Sequence, residues 1–540
     1  MFRKINLLFL SVFMIGVMGC SEDFLETTPT TAVAQSSAFA SVENMYLVLN
    51  GLHNQMYNWS AIGSTGRRNG MSAFIPALDS SSGQMIHSAR GNGWNRASAQ
   101  WLSHTNANSS ENHAYWYQRY HFVATSSNLI NNILAQGLPL NDPDIANILG
   151  QAYAYRAWAY FRLVSVFSKG YLVGSPSTDP GVPILLEAGA PYTSGPRGTV
   201  QQVYDQINLD INAAIASFAN AGPANTSSKS HLSLAAAHGI KARVALNTGD
   251  WATASSSAIA ARQGYPLMGA AAWTSGFNEV DGEPEVIWGG TVIPAESNFF
   301  ASYFYYISPT FNGSQNRGNP KLINEEHYDA IPATDFRTAM ALPLAPNTNS
   351  SASNGLGGSA ASDPNYATQA AFDAAKANVI TTYGMTTAHN THPYMHVKFL
   401  QDNPGTIDPD DVIYMRAAEM YLIEAEARTM MNDLGGARSV LSAFGNVRDT
   451  AYDPTVYTTQ ATLLDHIKWQ WNVELFGEGH SWDAKLRWDE GIDQTNSGAS
   501  AVLYQDGFMQ ARPSVNDAWV WKIPQAEIDA NPNIGESDQN

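Results

Sequence analysis

Apolar residues recur every three or four positions along much of this chain, which is the pattern of amphipathic helices. In the first such stretch Ser41 is a suitable N-cap, and the apolar positions are Val42, Met45, Tyr46, Leu49, Leu52 and Met56. The same spacing predicts helices over 112–136, 144–167, 233–247, 250–261, 413–431, 435–444 and 460–476. Thr199 and Gln202 form a capping-box pattern ahead of another helix. Short connections between successive helices predict antiparallel hairpins.

Two long stretches interrupt this periodicity. Residues 58–109 are rich in Gly, Ser and Asn, and residues 270–405 are rich in Pro, Gly, Asn and aromatics, with short strand-like pieces at 286–288 and 395–399. The sequence therefore predicts an all-α dominated fold. Its scaffold of tetratricopeptide-like helical hairpins covers about 41–57, 110–265 and 410–490, without a strict 34-residue period. A large irregular insert carries the short strands.

The N-terminus has the layout of a secretory signal. Arg3 and Lys4 precede an apolar run over 5–18, which is shorter than the roughly 20 residues that span a bilayer. Cys20, the single cysteine, follows directly and resembles the lipidated residue of a bacterial lipobox. We expect a signal peptide over 1–19, lipid attachment at Cys20 and a lipidated tether over 20–40, so that the lipid anchors the protein to a membrane.

Composition and charge narrow the classes of partner. The 540 residues include 29 Lys and Arg against 47 Asp and Glu, a formal charge of −18, yet only 14% are charged while 11% are aromatic. An acidic chain without a basic window repels phosphate backbones, which argues against a nucleic-acid partner. A neutral or cationic ligand fits better, and the 44% of apolar residues exclude a disordered chain.

Four segments together resemble one known family. They are CSEDFLETTPT at 20–30, QAYAYRAWAYFRLVSVFSKGY at 151–171, MYLIEAEARTMMNDLGGARSVLSAF at 420–444 and IPQAEIDANPNI at 523–534. In this order they are similar to the SusD/RagB-like nutrient-binding lipoproteins of the outer membrane. The chain departs from that pattern at 469–482, where WQWNVELFGEGHSW replaces the usual Arg-rich helix and FEGHRW-like segment.

The resemblance implies a non-enzymatic receptor built as a single domain over 41–540. It implies a lipid-anchored protein at the cell surface, in the outer membrane. Such a receptor captures an oligosaccharide or peptide and passes it to a partner TonB-dependent outer-membrane barrel. The family's ligand residues share no motif, so no ligand residue is transferred by position.

Candidate ligand residues follow instead from sugar chemistry. Sugar rings stack their C–H faces on aromatic planes, and their hydroxyls pair with planar polar side chains. The loop-rich segments at about 58–109 and 270–405 offer both kinds of side chain. The candidates are Asp79, Arg90, Trp94, Asn95 and Trp101 in the first segment and Trp273, Trp288, Tyr303 and Tyr305 in the second. The competing interpretation is that most of these aromatic rings are buried in the core.

Other constellations give no positive case for catalysis, a metal or a cofactor. His389, His392 and His396 could gather a metal, but Pro393 interrupts their helix. The acidic residues at 408–411 suit a helix start better than an EF-hand loop, and Glu419, Glu424 and Glu426 have arginines nearby. Three alternatives stay open: a surface glycoside hydrolase or peptidase, a helical-repeat scaffold without a small ligand, and a peptide-binding receptor.

Overall fold

The computed structural model describes residues 38–58, 68–88, 93–187, 194–222, 228–297, 302–349 and 356–540. The expected signal peptide, Cys20 and Arg90 lie outside these ranges. The chain divides into two units, Met1–Val48 and Leu49–Asn540. No helix among the described residues is both long and apolar enough to cross a bilayer.

The scaffold is a series of long helices that pack in chain order. Their bounds are Val42–Tyr57, Ser110–Ala135, Pro143–Phe167, Val200–Ala221, Leu234–Thr248, Trp251–Ala261, Ala417–Met430, Leu434–Arg448 and Gln460–Glu474. Within the second unit, each helix from Ser110–Ala135 to Leu434–Arg448 packs against the next one, and Gln460–Glu474 packs on Ala417–Met430. The Trp251–Ala261 helix packs directly on Ala417–Met430, although the whole insert lies between them in sequence. The predicted hairpin scaffold with an inserted region is confirmed.

Local chemistry fixes the beginnings of these helices. Asp142 accepts hydrogen bonds from the backbone N–H groups of Asp144 and Ile145, so it caps the Pro143–Phe167 helix. Thr199 and Gln202 form the predicted capping box at the start of the next helix. Small residues then allow close packing: a Cβ on Gly150 would lie 2.8 Å from the Phe218 ring.

Shorter helices fill the regions between and after the scaffold helices. The α-helices are Gly70–Ser81, Arg96–Ala99, Ala270–Trp273, Tyr303–Ile307, Ser314–Gly318, Glu325–Asp329, Gln369–Thr382, Ser481–Trp488, Ala501–Tyr504 and Gln525–Ala530. The 3-10 helices are Pro294–Glu296, Phe336–Met340, Ala360–Ser362, Pro454–Val456, Gln505–Phe508, Pro513–Val515, Asp517–Trp519 and Glu536–Asp538.

A small sheet joins the two loop-rich segments. Its antiparallel order is Met85–His87, Lys321–Ile323, Met395–His396 and Ala341–Leu342, with Met85 opposite Ile323 and Leu322 opposite Met395. The other strand pairs are Pro180–Pro183 with Arg197–Thr199, Val286–Gly290 with Val412–Arg416, and Ile492–Asp493 with Met509–Gln510. The first strand therefore brings the 58–109 segment onto the insert.

Two secondary-structure predictions are wrong. The segment predicted as loop contains the Gly70–Ser81 helix, in which every residue is buried. A helix covered on all sides has no polar face, so its sequence lacks the amphipathic period. The helix predicted over 413–431 begins only at Ala417, because the apolar residues of Val412–Arg416 form a strand against Val286–Gly290.

A buried ion network, here called the Arg416 network, connects the insert to the scaffold. The fully buried guanidinium of Arg416 lies 2.7 Å from Glu285, 2.6 Å from Glu474 and 2.7 Å from Glu478. Four basic side chains face four carboxylates: Arg337, Lys398, Arg416 and Arg448 against Glu285, Asp335, Glu474 and Glu478. The charges balance, which is the condition under which ions are tolerated in a core.

The network shifts the ionisation of its acids. Burial alone would raise the pKa of Glu474, but Arg448, Arg416 and Arg337 hold that pKa well below its usual range. Burial opposes ionisation of Glu478 as well, and Arg416 and Lys398 lower its pKa. Both carboxylates are therefore charged at neutral pH.

We expect Arg416→Met to lower the free energy of unfolding by about 3–5 kcal/mol at neutral pH, because it leaves buried carboxylates unpaired. Urea unfolding followed by circular dichroism measures the change. The matched control is Lys169→Met, which removes a surface ion pair with the largely exposed Asp517 and should cost less than about 1 kcal/mol. Equal costs for the two variants would contradict a structural role for the network.

The difference in stability between wild type and Arg416→Met should depend on pH. The folded pKa values of Glu474 and Glu478 are below the usual 4.5, so the stability they contribute is present above pH 4.5 and lost as pH falls further. The difference between wild type and Arg416→Met should therefore shrink below pH 4.5. A constant difference down to pH 3 would argue against the assignment.

Candidate ligand-binding site

Trp94 lies where the first loop-rich segment meets the insert. The Met85–His87 strand precedes it, and Asn95 adopts a left-handed conformation at φ 64° to begin the short Arg96–Ala99 helix. The backbone N–H of Trp94 donates to the buried Gln315 side chain at 3.0 Å. This bond fixes the loop on the Ser314–Gly318 helix of the insert.

The ring of Trp94 rests on a pair of tyrosines. Its centroid is 4.9 Å from that of Tyr305 in an edge-on arrangement and 5.4 Å from that of Tyr306. Both tyrosines belong to the Tyr303–Ile307 helix, which Ser302 caps through the N–H of Tyr305. Trp94 is half-buried whereas both tyrosines are buried, so Trp94 offers the accessible ring.

Polar side chains lie close to Trp94 in the chain and on the segment that holds its backbone. Arg96 is two residues from Trp94, and Arg317 lies on the same short helix as Gln315; both guanidinium-bearing residues are half-buried. Arg317 donates to the Asn312 side chain at 3.2 Å. We call Trp94, Arg96, Asn312, Gln315 and Arg317 the Trp94 surface. An indole beside guanidinium and amide groups suits the apolar face and the hydroxyls of a sugar.

The buried His87 ring lies within electrostatic reach of Lys321 and Arg96. Burial is the main cause that holds the pKa of His87 well below its usual range, and the charges of Lys321 and Arg96 lower it further. Burial likewise lowers the pKa of Lys321 to about 7. His87 is thus neutral, and the guanidinium groups are the charged donors near Trp94.

Asp79, predicted as a ligand residue, is fully buried in the scaffold. Its carboxylate accepts hydrogen bonds from the Gly479 N–H at 3.0 Å and the Ser481 hydroxyl at 2.6 Å. Burial raises the pKa of Asp79 and these hydrogen bonds offset part of the rise, so that the resulting pKa is about 6. The side chain connects the Gly70–Ser81 helix to the turn before Ser481–Trp488 and has no exposed acceptor for a sugar.

Asn95 and Trp101 are buried as well. Asn95 serves as the left-handed residue that begins the Arg96–Ala99 helix. Trp101 has φ 60°, donates from its indole N–H to the Ser81 carbonyl at 2.8 Å and packs edge-on against Trp519. Trp101 is a ligand candidate whose ring is 3% exposed, and it is part of an aromatic cluster under the loop, as the competing interpretation expects.

The predicted aromatic residues of the insert are core side chains. Trp273 donates to Glu474 of the Arg416 network at 3.2 Å, and Tyr303 donates to the Gly477 carbonyl at 2.6 Å. Trp288 packs against Trp158 and Tyr414. None of these rings has an exposed face in the structure, so they correct the sequence-based expectation. Tyr305 contacts another candidate, since its ring packs against that of Trp94.

The polar half of the Trp94 surface was missed by sequence reasoning. Asn312, Gln315 and Arg317 belong to the segment FNGSQNRG, a polar run directly after the aromatic 303–306 stretch. That juxtaposition is a usable indication of a site, but Gln315 and Trp94 are 221 positions apart in the chain, so their pairing cannot be deduced from spacing.

The three histidines considered as metal ligands lie at hydrogen-bond distance from backbone carbonyls. His396 is 2.9 Å from the Ile307 carbonyl, His392 is 2.8 Å from the Pro393 carbonyl, and His389 is 3.1 Å from the Phe311 carbonyl. Within the described ranges, no group of three His, Cys, Asp or Glu residues is placed to hold a metal ion.

Two family models match the chain by sequence. One is a SusD-like family described as "Starch-binding associating with outer membrane", over residues 23–246, and the other is the SusD family, over residues 305–540. No curated protein matches the chain significantly.

Several solved structures have the same fold. A SusD-like carbohydrate binding protein from Bacteroides vulgatus is 20% identical with a TM-score of 0.73, and the match covers 92% of this chain and 98% of that one. A SusD superfamily protein from Bacteroides thetaiotaomicron is 20% identical with a TM-score of 0.71, covering 93% and 99%. Surface glycan-binding protein A from the same organism, in complex with laminarihexaose, is 15% identical with a TM-score of 0.61, covering 91% and 98%.

Trp288 and Trp94 differ in burial, so their replacement by alanine should lower the free energy of unfolding by different amounts. Trp288→Ala should lower the free energy of unfolding by about 3–5 kcal/mol because it empties a core site. Trp94→Ala should cost less than about 2 kcal/mol, since its ring is only half-buried. Urea unfolding of both variants tests this, and a Trp94→Ala cost as large as that of Trp288→Ala would mean that Trp94 is a core residue.

Proposed function

The chain belongs to the SusD/RagB-like family, and on that premise we propose that it is a surface lipoprotein that binds an oligosaccharide nutrient without cleaving it. It delivers the nutrient to a partner TonB-dependent transporter in the outer membrane. The signal peptide covers 1–19, the lipidated tether 20–40 with its lipid on Cys20, and the binding domain 41–540.

The Trp94 surface is the observation that supports oligosaccharide binding. It combines an accessible indole, which packs on Tyr305 and Tyr306, with the guanidinium group of Arg96 and the polar side chains of the 312–317 segment that binds the Trp94 backbone. Stacking on the indole supplies affinity, and the planar donors read the hydroxyl pattern. The relatives agree in kind, since one is named a carbohydrate binding protein and another was solved with laminarihexaose.

Binding without cleavage is supported by how the acids of the Ala417–Met430 helix are used. Glu419 pairs with Arg243 at 2.6 Å, and Glu426 pairs with Arg487 at 2.6 Å. Glu424 is paired with Arg262. A hydrolase needs two carboxyl groups facing a sugar across a cleft, one of them kept protonated. Buried carboxylates that each pair with an arginine serve the scaffold instead.

We expect Trp94→Ala to weaken oligosaccharide binding at least about tenfold, because the stacking platform is lost. Isothermal titration with laminarihexaose, maltohexaose, cellohexaose and xylohexaose identifies the binding sugar and measures the change. The control is Tyr117→Ala, an exposed aromatic of the Ser110–Ala135 helix, which should bind as wild type does.

Either of two results would contradict this assignment. Unchanged affinity in Trp94→Ala would remove the Trp94 surface from the binding site. Release of new reducing ends during incubation with the bound sugar would establish a hydrolase in place of a receptor.

The transporter partnership has its own test. The lipidated protein, extracted from its native outer membrane in mild detergent, should copurify with a large β-barrel in equal amounts. Cys20→Ala should lose the lipid by mass spectrometry and leave the membrane fraction. Recovery of the lipidated protein alone after gentle extraction would argue against a stable complex.

A further inference from the structure

An open cleft is lined by scaffold and loop residues, none of which belongs to the Trp94 surface. Its walls are the 330–335 loop, the 449–457 loop and the first turns of the Gln460–Glu474 helix, and its volume is about 770 Å³. A backbone bridge between Asp335 and Asp449 ties the two loops together. This volume falls within the range of small-molecule sites, which is roughly 300–1,000 Å³.

Aromatic rings form one wall of the cleft. The ring of His466 stacks on that of Tyr457 at a centroid distance of 4.1 Å and on that of Trp469 at 5.5 Å. The Tyr452 hydroxyl lies 2.7 Å from His466 Nε2, and the Trp469 indole donates to the His327 carbonyl at 3.1 Å. The rings are therefore held in place before any ligand arrives, while Tyr457 and Trp469 stay half-exposed.

Polar groups complete the lining. Gln470 is fully buried, and its Oε1 accepts no hydrogen bond from the residues that the structure describes. A hydrogen bond from a ligand hydroxyl to this oxygen is favourable, because a buried acceptor without a partner is costly. Asp453 and Asp465 lie exposed at the rim, where their carboxylates accept further hydrogen bonds.

The charge of the cleft selects among ligands. Asp335 is already paired with Arg337 at 2.7 Å, and the carboxylates of Asp449 and Asp453 accept hydrogen bonds from nearby backbone N–H groups. The lining residues include no Lys or Arg. Burial lowers the pKa of His466 to about 4, so this ring is neutral at pH 7. The acidic lining repels an anionic sugar. Its aromatic rings and hydrogen-bond acceptors suit a neutral polyhydroxy ligand, and an amine is the competing occupant.

We propose that this cleft is a second saccharide-binding site, which stacks a neutral mono- or disaccharide on Tyr457 and Trp469 and engages its hydroxyls through Gln470 and Asp465. The site goes beyond the proposed function, which concerns the Trp94 surface, and it shares with that function only the class of ligand. The segment at 469–482, where the sequence departs from the family pattern, begins in this cleft with Trp469.

The test is ¹⁹F NMR of the full chain labelled with 5-fluorotryptophan. The Trp469 resonance is assigned as the one missing from Trp469→Phe, and the Trp94 resonance is assigned in the same way. Maltose, cellobiose, laminaribiose and xylobiose are added at millimolar concentrations. At least one of them should shift the Trp469 resonance along a saturable curve.

Two variants examine the cleft itself. Tyr457→Ala should weaken this response about tenfold or more, and Asp465→Ala, at an exposed position that leaves the fold intact, should weaken it several-fold. Tyr117→Ala and Trp94→Ala should leave it unchanged. Unfolding curves identify any variant that fails to fold. If Tyr457→Ala fails to fold, the response of Asp465→Ala still tests the cleft.

Three outcomes would overturn the second site. They are no shift of the Trp469 resonance with any of the four sugars, a shift that survives both cleft variants, and a stronger response to spermidine than to every sugar, which would make the cleft an amine site. A shift at Trp94 without one at Trp469 would reject the second site and leave the proposed function standing. A shift at Trp469 alone would support the second site, and the Trp94 surface is then judged separately by its titration with the hexasaccharides.

Discussion

The constraint on which the rest of the structure depends is the pairing of buried charges around Arg416. Its carboxylate partners come from the strand region before Val286, from the end of the Gln460–Glu474 helix and from the turn that follows it. Arg337 and Lys398 bring the insert into the same network. An unpaired buried ion costs several kcal/mol, so the insert is stable only where these charges meet. The small sheet, and with it the loop that carries Trp94, is positioned as a result.

The unusual aromatic content serves mainly the core. Seven of the 14 tryptophans are among the largest fully buried side chains: Trp116, Trp158, Trp273, Trp288, Trp482, Trp519 and Trp521. A chain with so few charged residues fills its interior with large rings. The indole N–H groups of Trp116, Trp273 and Trp519 donate to Glu527, Glu474 and the Ala511 carbonyl. Trp94 on one surface and Tyr457 and Trp469 in the cleft are half-exposed, and these accessible rings are the ones that the binding proposals use.

The sequence predicted the fold more completely than the site. Long amphipathic helices have a period and caps that are visible locally, as Asp142 and the Thr199–Gln202 box illustrate. The Gly70–Ser81 helix escaped prediction because burial on all sides removes the period. Among the ligand candidates, Trp94 is half-exposed while Trp101 and Trp288 are buried, although all three are tryptophans in irregular sequence. Local sequence carries no information on which of them the insert covers.

The amino-acid sequence by itself determined the helical scaffold, the position of the insert and the resemblance to the SusD/RagB-like family, because each of these depends on residues close together in the chain. Only the tertiary structure decided which side chains are available to a ligand. The Gln315 side chain accepts a hydrogen bond from the backbone N–H of Trp94. A backbone bridge joins the 330–335 loop to the 449–457 loop at the cleft. Both contacts depend on long-range packing and on charge pairing in the interior, and neither leaves a pattern in neighbouring residues.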